Sequence, residues 1–227
     1  MTEYSREAPW DLLQAFNPNV PNVARIYDFL LDGKDNYAAD REAAGRLLDA
    51  VPGAAVAARD NRRFLGRAVW FLAGEGGIRQ FLDIGTGLPT RGNVHEIAHA
   101  AKPGARVVYA DNDPVVVAHA NALLADSLTV AAVAGDLRDP DRLFALPDVQ
   151  AFIDWDEPVA VLMVAVLHFL EDRDNPWEVV DAFKAQMAPG SYLVLSHVTG
   201  DDTPADMARQ AAEVYQNASA PGTILLS

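Results

Sequence analysis

The segment Phe81-Leu-Asp-Ile-Gly-Thr-Gly-Leu-Pro-Thr90, followed by Val107-Val-Tyr-Ala-Asp111, leaves this chain few folds to choose from. An apolar run that breaks at two glycines, then a second run ending in a carboxylate, predicts a buried strand, a tight turn and a neighbouring strand. In a parallel sheet with helical crossovers, that pairing puts the turn and the acid together at the carboxyl edge, where such sheets bind nucleosides. From Ile78 onward the pattern alternates. Strands are expected at 79–84, 106–111, 128–134, 159–166 and 190–197, with helices near 92–101, 115–125, 139–146, 176–188 and 204–218. Val159-Ala-Val-Leu-Met-Val-Ala-Val-Leu167 is apolar throughout, as a central strand covered on both faces requires. The expected class is α/β, a Rossmann-like, mostly parallel, doubly wound sheet.

Residues 1–77 contain no good strand and read as a helical segment that forms one integrated domain with the core at 78–227. Apolar residues at 23, 26, 27, 30 and 31 form a helical stripe that stops at Asp32-Gly33. Asn36 can cap a second helix, Tyr37 to about Ala50, which Pro52-Gly53 ends; a third runs from about Ala54 to Ala73. Its arginines at 59, 62, 63 and 67 read as a solvated face, with anion binding as the alternative.

The turn separates two cofactors. A dinucleotide site wants a third glycine so that backbone approaches a pyrophosphate, but here Pro89 and Thr90 stand there. Asp83 lies two residues before Gly85. An acid-x-Gly-x-Gly turn suits a phosphate-free, positively charged ligand, which describes S-adenosylmethionine rather than NAD. Gly85 and Gly87 let backbone pass close beneath it, and Asp83 faces its ammonium. Asp111, with its neighbour Asn112, can accept the ribose hydroxyls. Asp136 and the adjoining Leu137, at the end of the third strand, can hold the adenine amino group. Each has a plainer alternative: an ordinary strand-to-helix turn, a helix cap in Asp111-Asn-Asp-Pro114, and a loop or cap role for Asp136. His168, just past the apolar strand, either orients or deprotonates an acceptor or bonds to backbone as a strand cap. Tyr27, Lys34, Asn36 and Tyr37 surround the Asp32-Gly33 break, where a loop could close over the ligand and a tyrosine face could meet its sulfonium.

His95-Glu-Ile-Ala-His99 matches the zinc-peptidase pattern H-E-x-x-H, yet the extended form would need Gly at 102 and His at 105, where Lys102 and Ala105 stand. No metal site is expected. Without cysteine there is no disulfide, thiolate zinc site or cysteine nucleophile. With 18 basic against 32 acidic residues the net charge is −14, which repels nucleic acid. The first ten residues lack a signal peptide's apolar core, and the longest apolar run is too short to span a bilayer. A cytoplasmic protein acting on a small molecule, with neither nucleic acid nor membrane as partner, is expected.

The segments Phe81 to Thr90, Gly92-Asn-Val-His-Glu96, Val108-Tyr-Ala-Asp-Asn-Asp-Pro114 and Val166-Leu-His-Phe-Leu170 resemble the actinobacterial S-adenosyl methyltransferase family, formerly a domain of unknown function. So does Asn22-Val-Ala-Arg-Ile-Tyr-Asp-Phe-Leu-Leu-Asp-Gly-Lys-Asp-Asn-Tyr-Ala-Ala-Asp-Arg41. The resemblance implies a class I methyltransferase fold with a helical N-terminal cap over the cofactor. Asp32 stands where the family usually has glycine, His99 where it usually has no histidine, and Ser227 comes before the closing strand pair the family leads one to expect. The expected activity is methyl transfer from S-adenosylmethionine to a small-molecule acceptor the family does not name. A non-catalytic binder of the same cofactor and an NAD-dependent oxidoreductase are the alternatives.

Overall fold

Every residue of β1 (Gln80–Ile84) is buried, which makes it a central strand. In the computed structural model, which describes residues 17–89, 92–124, 127–201 and 203–218, β1 is flanked by β2 (Arg106–Asp111) and β4 (Ala160–Val164). Outside these lie β3 (Val130–Ala134) and β5 (Tyr192–Ser196), giving one parallel sheet in the order β3-β2-β1-β4-β5. The order reverses direction between β1 and β4, and the crevice at their carboxyl ends is where such a sheet takes a ligand. Thr90 and residues 219–227, on which the expectations about a third glycine and the chain end partly rest, lie outside the described residues.

Helices cover both faces. On one side α3 (Ala54–Gly74), α4 (Val94–Ala101) and α5 (Pro114–Leu124) bury Leu65, Val69, Val94, Ala98 and Ala120 against Phe81, Val107 and Leu162. On the other, α6 (Pro140–Phe144), α7 (Pro147–Phe152) and α8 (Pro176–Gln186) pack Leu143, Val149, Val179 and Phe183 on Leu82, Val108 and Val161. Truncating a side chain as buried as Phe183 to alanine costs about 3–5 kcal/mol in general. The helix expected at 139–146 forms as α6, and a further helix that was not expected, α7, follows it because Pro147 starts a new one at its first position.

A third apolar cluster lies above the carboxyl edge of the sheet. There α1 (Val23–Leu30) and α2 (Ala38–Ala50) bury Ile26, Leu30, Ala43, Ala44 and Leu47 against Ala58 of α3 and Ala211 and Val214 of α9 (Ala205–Gln216). Buried polar bonds lock this roof. Arg25 Nε donates to Asp40 Oδ2 at 2.8 Å with both side chains inside, and Asn22 N donates to Asp40 Oδ1 at 2.8 Å. A buried ion pair survives only when its remaining valences are met, and here Arg25 Nη2 also reaches Val20 O at 2.6 Å.

Candidate functional site

Beneath that roof is a cavity of about 440 Å³, bounded below by the carboxyl ends of β1, β2 and β4. Gly85 and Gly87 form its floor at φ +68 and +65, a left-handed conformation that side chains resist. A Cβ on Gly85 would collide with Val166, whereas one on Gly87 would meet open space. The strand expected at 159–166 stops at Val164, because Ala165 turns at φ 56 and brings Val166 under Gly85.

Two buried carboxylates flank the turn. Asp83 accepts from Thr86 Oγ1 at 3.3 Å, and burial pushes its carboxyl up to about 7, against the pull of the nearby Arg62 charge. Asp111 accepts Gly87 N and Asp113 N, each at 2.9 Å; burial still raises it to about 6. Asp111 thus holds the glycine turn as well as facing the cavity. The helix-cap alternative does not describe its side chain, since it is Asp113 Oδ1 that accepts Val115 N at the start of α5.

Asp136 also lines the cavity, but both of its oxygens accept from Arg138, Oδ1 at 2.9 Å and Oδ2 at 2.5 Å. Burial opposes the charge on Asp136, yet the Arg138 bonds prevail and hold its carboxyl below the ordinary value. The cap of α6 is Asp139, not Asp136. Leu137 and Asn112 complete this end of the cavity.

The rest of the lining is different in character. Leu30, Leu47, Val51 and Ala54 line the cavity together with Phe169 and Tyr215, whose ring centres lie 6.1 Å apart, and His168 lines it as well. His168 sits in a 3-10 turn, Leu167–Phe169, and is buried. Its Nδ1 has no hydrogen-bond partner among the described residues, so it is not the backbone-bonded strand cap that was the alternative. Burial, aided by His197 with its ring 5.6 Å away, lowers the imidazole to about 4 and keeps it neutral at pH 7.

Of the four residues expected around the Asp32-Gly33 break, Tyr27 lines the cavity and Lys34, Asn36 and Tyr37 do not. Lys34 is exposed. Asn36 Nδ2 donates to Asp28 Oδ2 at 2.9 Å and Gly33 O at 3.1 Å, and the cap of α2 is Tyr37 rather than Asn36. Tyr37 lies beside Arg25, whose guanidinium is 5.5 Å from its ring centre. The loop is fastened to the buried carboxylate of Asp28, which leaves these three side chains outside the cavity.

One residue of α3, Asn61, went unread in the sequence, and a second, Arg62, was read first as part of a solvated face. Asn61 Oδ1 accepts from Ser196 Oγ at 2.6 Å while its Nδ2 donates to Tyr27 Oη at 3.0 Å, joining β5, α3 and α1. Arg62 turns into the cavity, while Arg63 pairs with Asp60 in solvent and Arg59 lies against Asp32. The signal was available: positions 61 and 62 fall on the helical stripe between the buried Ala58 and Leu65. The zinc-like pair goes elsewhere, with His95 Nδ1 2.7 Å from Tyr109 Oη and His99 Nε2 2.8 Å from Ala105 O. Among the described residues no group of three metal-ligating side chains forms, and no helix is long and apolar enough to cross a membrane.

A family model described as S-adenosyl methyltransferase matches residues 11–225. The chain is similar to the crystal structure of a putative methyltransferase from Thermobifida fusca, at 43% identity and a TM-score of 0.84, covering 95% of this chain and 79% of that one. It is similar also to a DUF574 family protein from Streptomyces avermitilis, at 39% identity and a TM-score of 0.84, covering 91% and 79%. An O-methyltransferase family protein from Burkholderia thailandensis shares the fold alone, at 12% identity and a TM-score of 0.51, covering 96% and 60%. No curated protein matches.

Proposed function

The chain belongs to the S-adenosyl methyltransferase family, and on that premise we propose that it transfers a methyl group to a small, largely apolar acceptor held beside His168. Its cofactor is S-adenosylmethionine. The observation that carries the proposal is one cavity with two kinds of lining, the acids and glycine floor of Asp83, Gly85, Gly87 and Asp111 and an apolar chamber wall that includes Leu30, Leu47, Val51 and Phe169, with His168 among the lining residues.

The residues present suit that cofactor. Asp83 is a buried acid raised to about 7, so a cation brought against it relieves an existing cost, and Asp111, raised to about 6, gains hydrogen-bond donors from hydroxyls placed against it. The glycine floor leaves room for a ligand close to backbone. Asp83 would face the ammonium, and Asp111 with Asn112 the ribose hydroxyls. Leu137 and the backbone around Asp136 would line the adenine pocket, Asp136 itself being held by Arg138. When bound, the cofactor supplies an activated methyl on sulfur, and what remains for the protein is alignment and exclusion of water.

Tyr27 lines the chamber beneath the α1–α2 roof, and on this reading the described helices of the segment 1–77 would cap the core at 78–227. The chamber offers an acceptor apolar walls and the neutral groups of Tyr27, Asn61 and Ser196. His168 Nδ1, buried and unpartnered, is placed to accept a hydrogen bond or a proton from the acceptor's nucleophilic group.

Calorimetry should find that S-adenosylhomocysteine binds and NAD does not. Asp111→Asn should weaken that binding about tenfold or more, the loss of one or two charge-assisted hydrogen bonds. A screen of small apolar hydroxyl and amine acceptors should then release S-adenosylhomocysteine from S-adenosylmethionine. His168→Gln should lower kcat on any acceptor found without changing cofactor affinity. Cofactor binding with no release across the screen would make the chain a binder and not an enzyme.

A further inference from the structure

We propose that Arg62 and Asp83 together form a receptor for the zwitterionic end of the cofactor, with Arg62 taking the α-carboxylate; this rests on the cofactor reading above. An α-amino acid carries its ammonium and carboxylate on one carbon. A site that reads it must set an acid and a base side by side without letting them neutralise each other. Asp83 and Arg62 both line the cavity, and no ion pair joins them within 4.0 Å among the described residues. Asp83 is held by Thr86 instead, and Arg62 by the start of α4, where its Nη2 donates to Gly92 O at 3.2 Å and Asn93 Oδ1 at 3.4 Å.

Those two bonds orient the guanidinium but do not satisfy it. Arg62 Nε is buried with no hydrogen-bond partner among the described residues. A buried Nε left idle on a half-buried guanidinium is costly, and a carboxylate is the ligand whose two oxygens match the guanidinium's fork. Arg62 is also the group whose charge most opposes the rise of the Asp83 carboxyl, so the two are electrostatic neighbours. A bound amino-acid end would pair its ammonium with Asp83 and its carboxylate with Arg62, and each protein charge would gain the partner it lacks. A phosphate-bearing or uncharged nucleoside would meet only half of this arrangement.

The test uses the full chain and two probes that differ only at that carboxylate. These are S-adenosylhomocysteine and its decarboxylated analogue, S-adenosyl-3-thiopropylamine, which keeps the ammonium. By calorimetry the wild-type protein should prefer S-adenosylhomocysteine by about tenfold or more, the scale of one charge-assisted contact. Arg62→Gln should bring the two affinities within about twofold of each other by weakening only S-adenosylhomocysteine, and Arg62→Lys should fall between. Unchanged binding of the analogue shows that each variant is folded with its floor intact. The proposal is overturned if wild type does not discriminate, if Arg62→Gln still does, or if both affinities fall together, which would make Arg62 a strut for Gly92 and Asn93. Failure of wild type to bind either probe would instead sink the cofactor reading beneath it.

Discussion

Asn22 Nδ2 donates to Asp113 Oδ2 at 2.6 Å, tying the start of the first helix to the turn that carries Asp111. The same side chain accepts Arg25 N at 3.2 Å as the N-cap of α1. One amide therefore holds the roof helix and fastens it to Asp113, two residues past the end of β2. Asp113 in turn donates its backbone N–H to Asp111 Oδ1, so the tie reaches a carboxylate that lines the cavity through one residue.

Asn22→Ala should lower unfolding stability by about 1–2 kcal/mol, the usual range for a lost cap plus a buried bond, and weaken S-adenosylhomocysteine binding as well. Asn22→Ser separates the two roles, because its hydroxyl can still cap α1 but is too short to reach Asp113. Chemical denaturation should show most of the stability restored in the serine variant, with cofactor affinity still reduced. If affinity returns along with stability, the tie to Asp113 does not serve the site.

The two glycines of the turn should differ under substitution. Gly87→Ala forces alanine into a left-handed backbone with free space around it, a cost of about 1–2 kcal/mol. Gly85→Ala adds a collision with Val166 to the same backbone strain, so its melting temperature should fall further and cofactor binding should be lost. Equal effects of the two substitutions on melting temperature would contradict the close approach of Val166.

The raised acids make both stability and binding depend on pH. Asp83 rises from 3.8 to about 7. Between those values the unfolded chain has released a proton that the folded chain keeps. This contribution is thus fully present below 3.8 and lost as pH climbs through about 7. His168, lowered from 6.5 to about 4, acts in the opposite sense, its contribution growing with pH across that window. Asp83→Asn removes the first term and leaves the second, so the variant should gain stability relative to wild type as pH rises from 4 to about 7 in denaturant titrations. An ammonium placed against Asp83 favours its ionised form, so wild-type affinity for S-adenosylhomocysteine should also rise over that range, and should do so less in the variant. A stability difference that stays flat with pH would mean Asp83 is ionised throughout.

Local pattern was enough for the sheet and for its glycine turn. A run such as Phe81 to Ile84 that breaks at Gly85 can bury itself only as a central strand, and alternation with amphipathic helices leaves a parallel sheet as its partner. Apolar periodicity likewise located α1, α2 and α3, because each must present one face to a core. Asp83, Gly85, Gly87 and Asp111 were legible as cavity-lining positions for the same reason: chain order puts them at strand ends, and strand ends form the crevice.

What pattern could not decide was which polar side chains turn inward. Arg59, Arg62 and Arg63 differ little in sequence, yet only Arg62 reaches the cavity, because α4 crosses α3 where Gly92 and Asn93 can receive it. Lys34, Asn36 and Tyr37 read as a lid, but Asp28, buried one turn earlier, gathers the loop to itself. His168 could have been satisfied or idle, and only the packing of Phe169 and His197 around it left Nδ1 without a partner. The tie from Asn22 to Asp113 spans parts of the chain that local pattern never relates. Backbone structure follows from neighbours within a few residues. Whether a charged or polar group is desolvated and left unpaired depends on side chains that only the folded chain brings together.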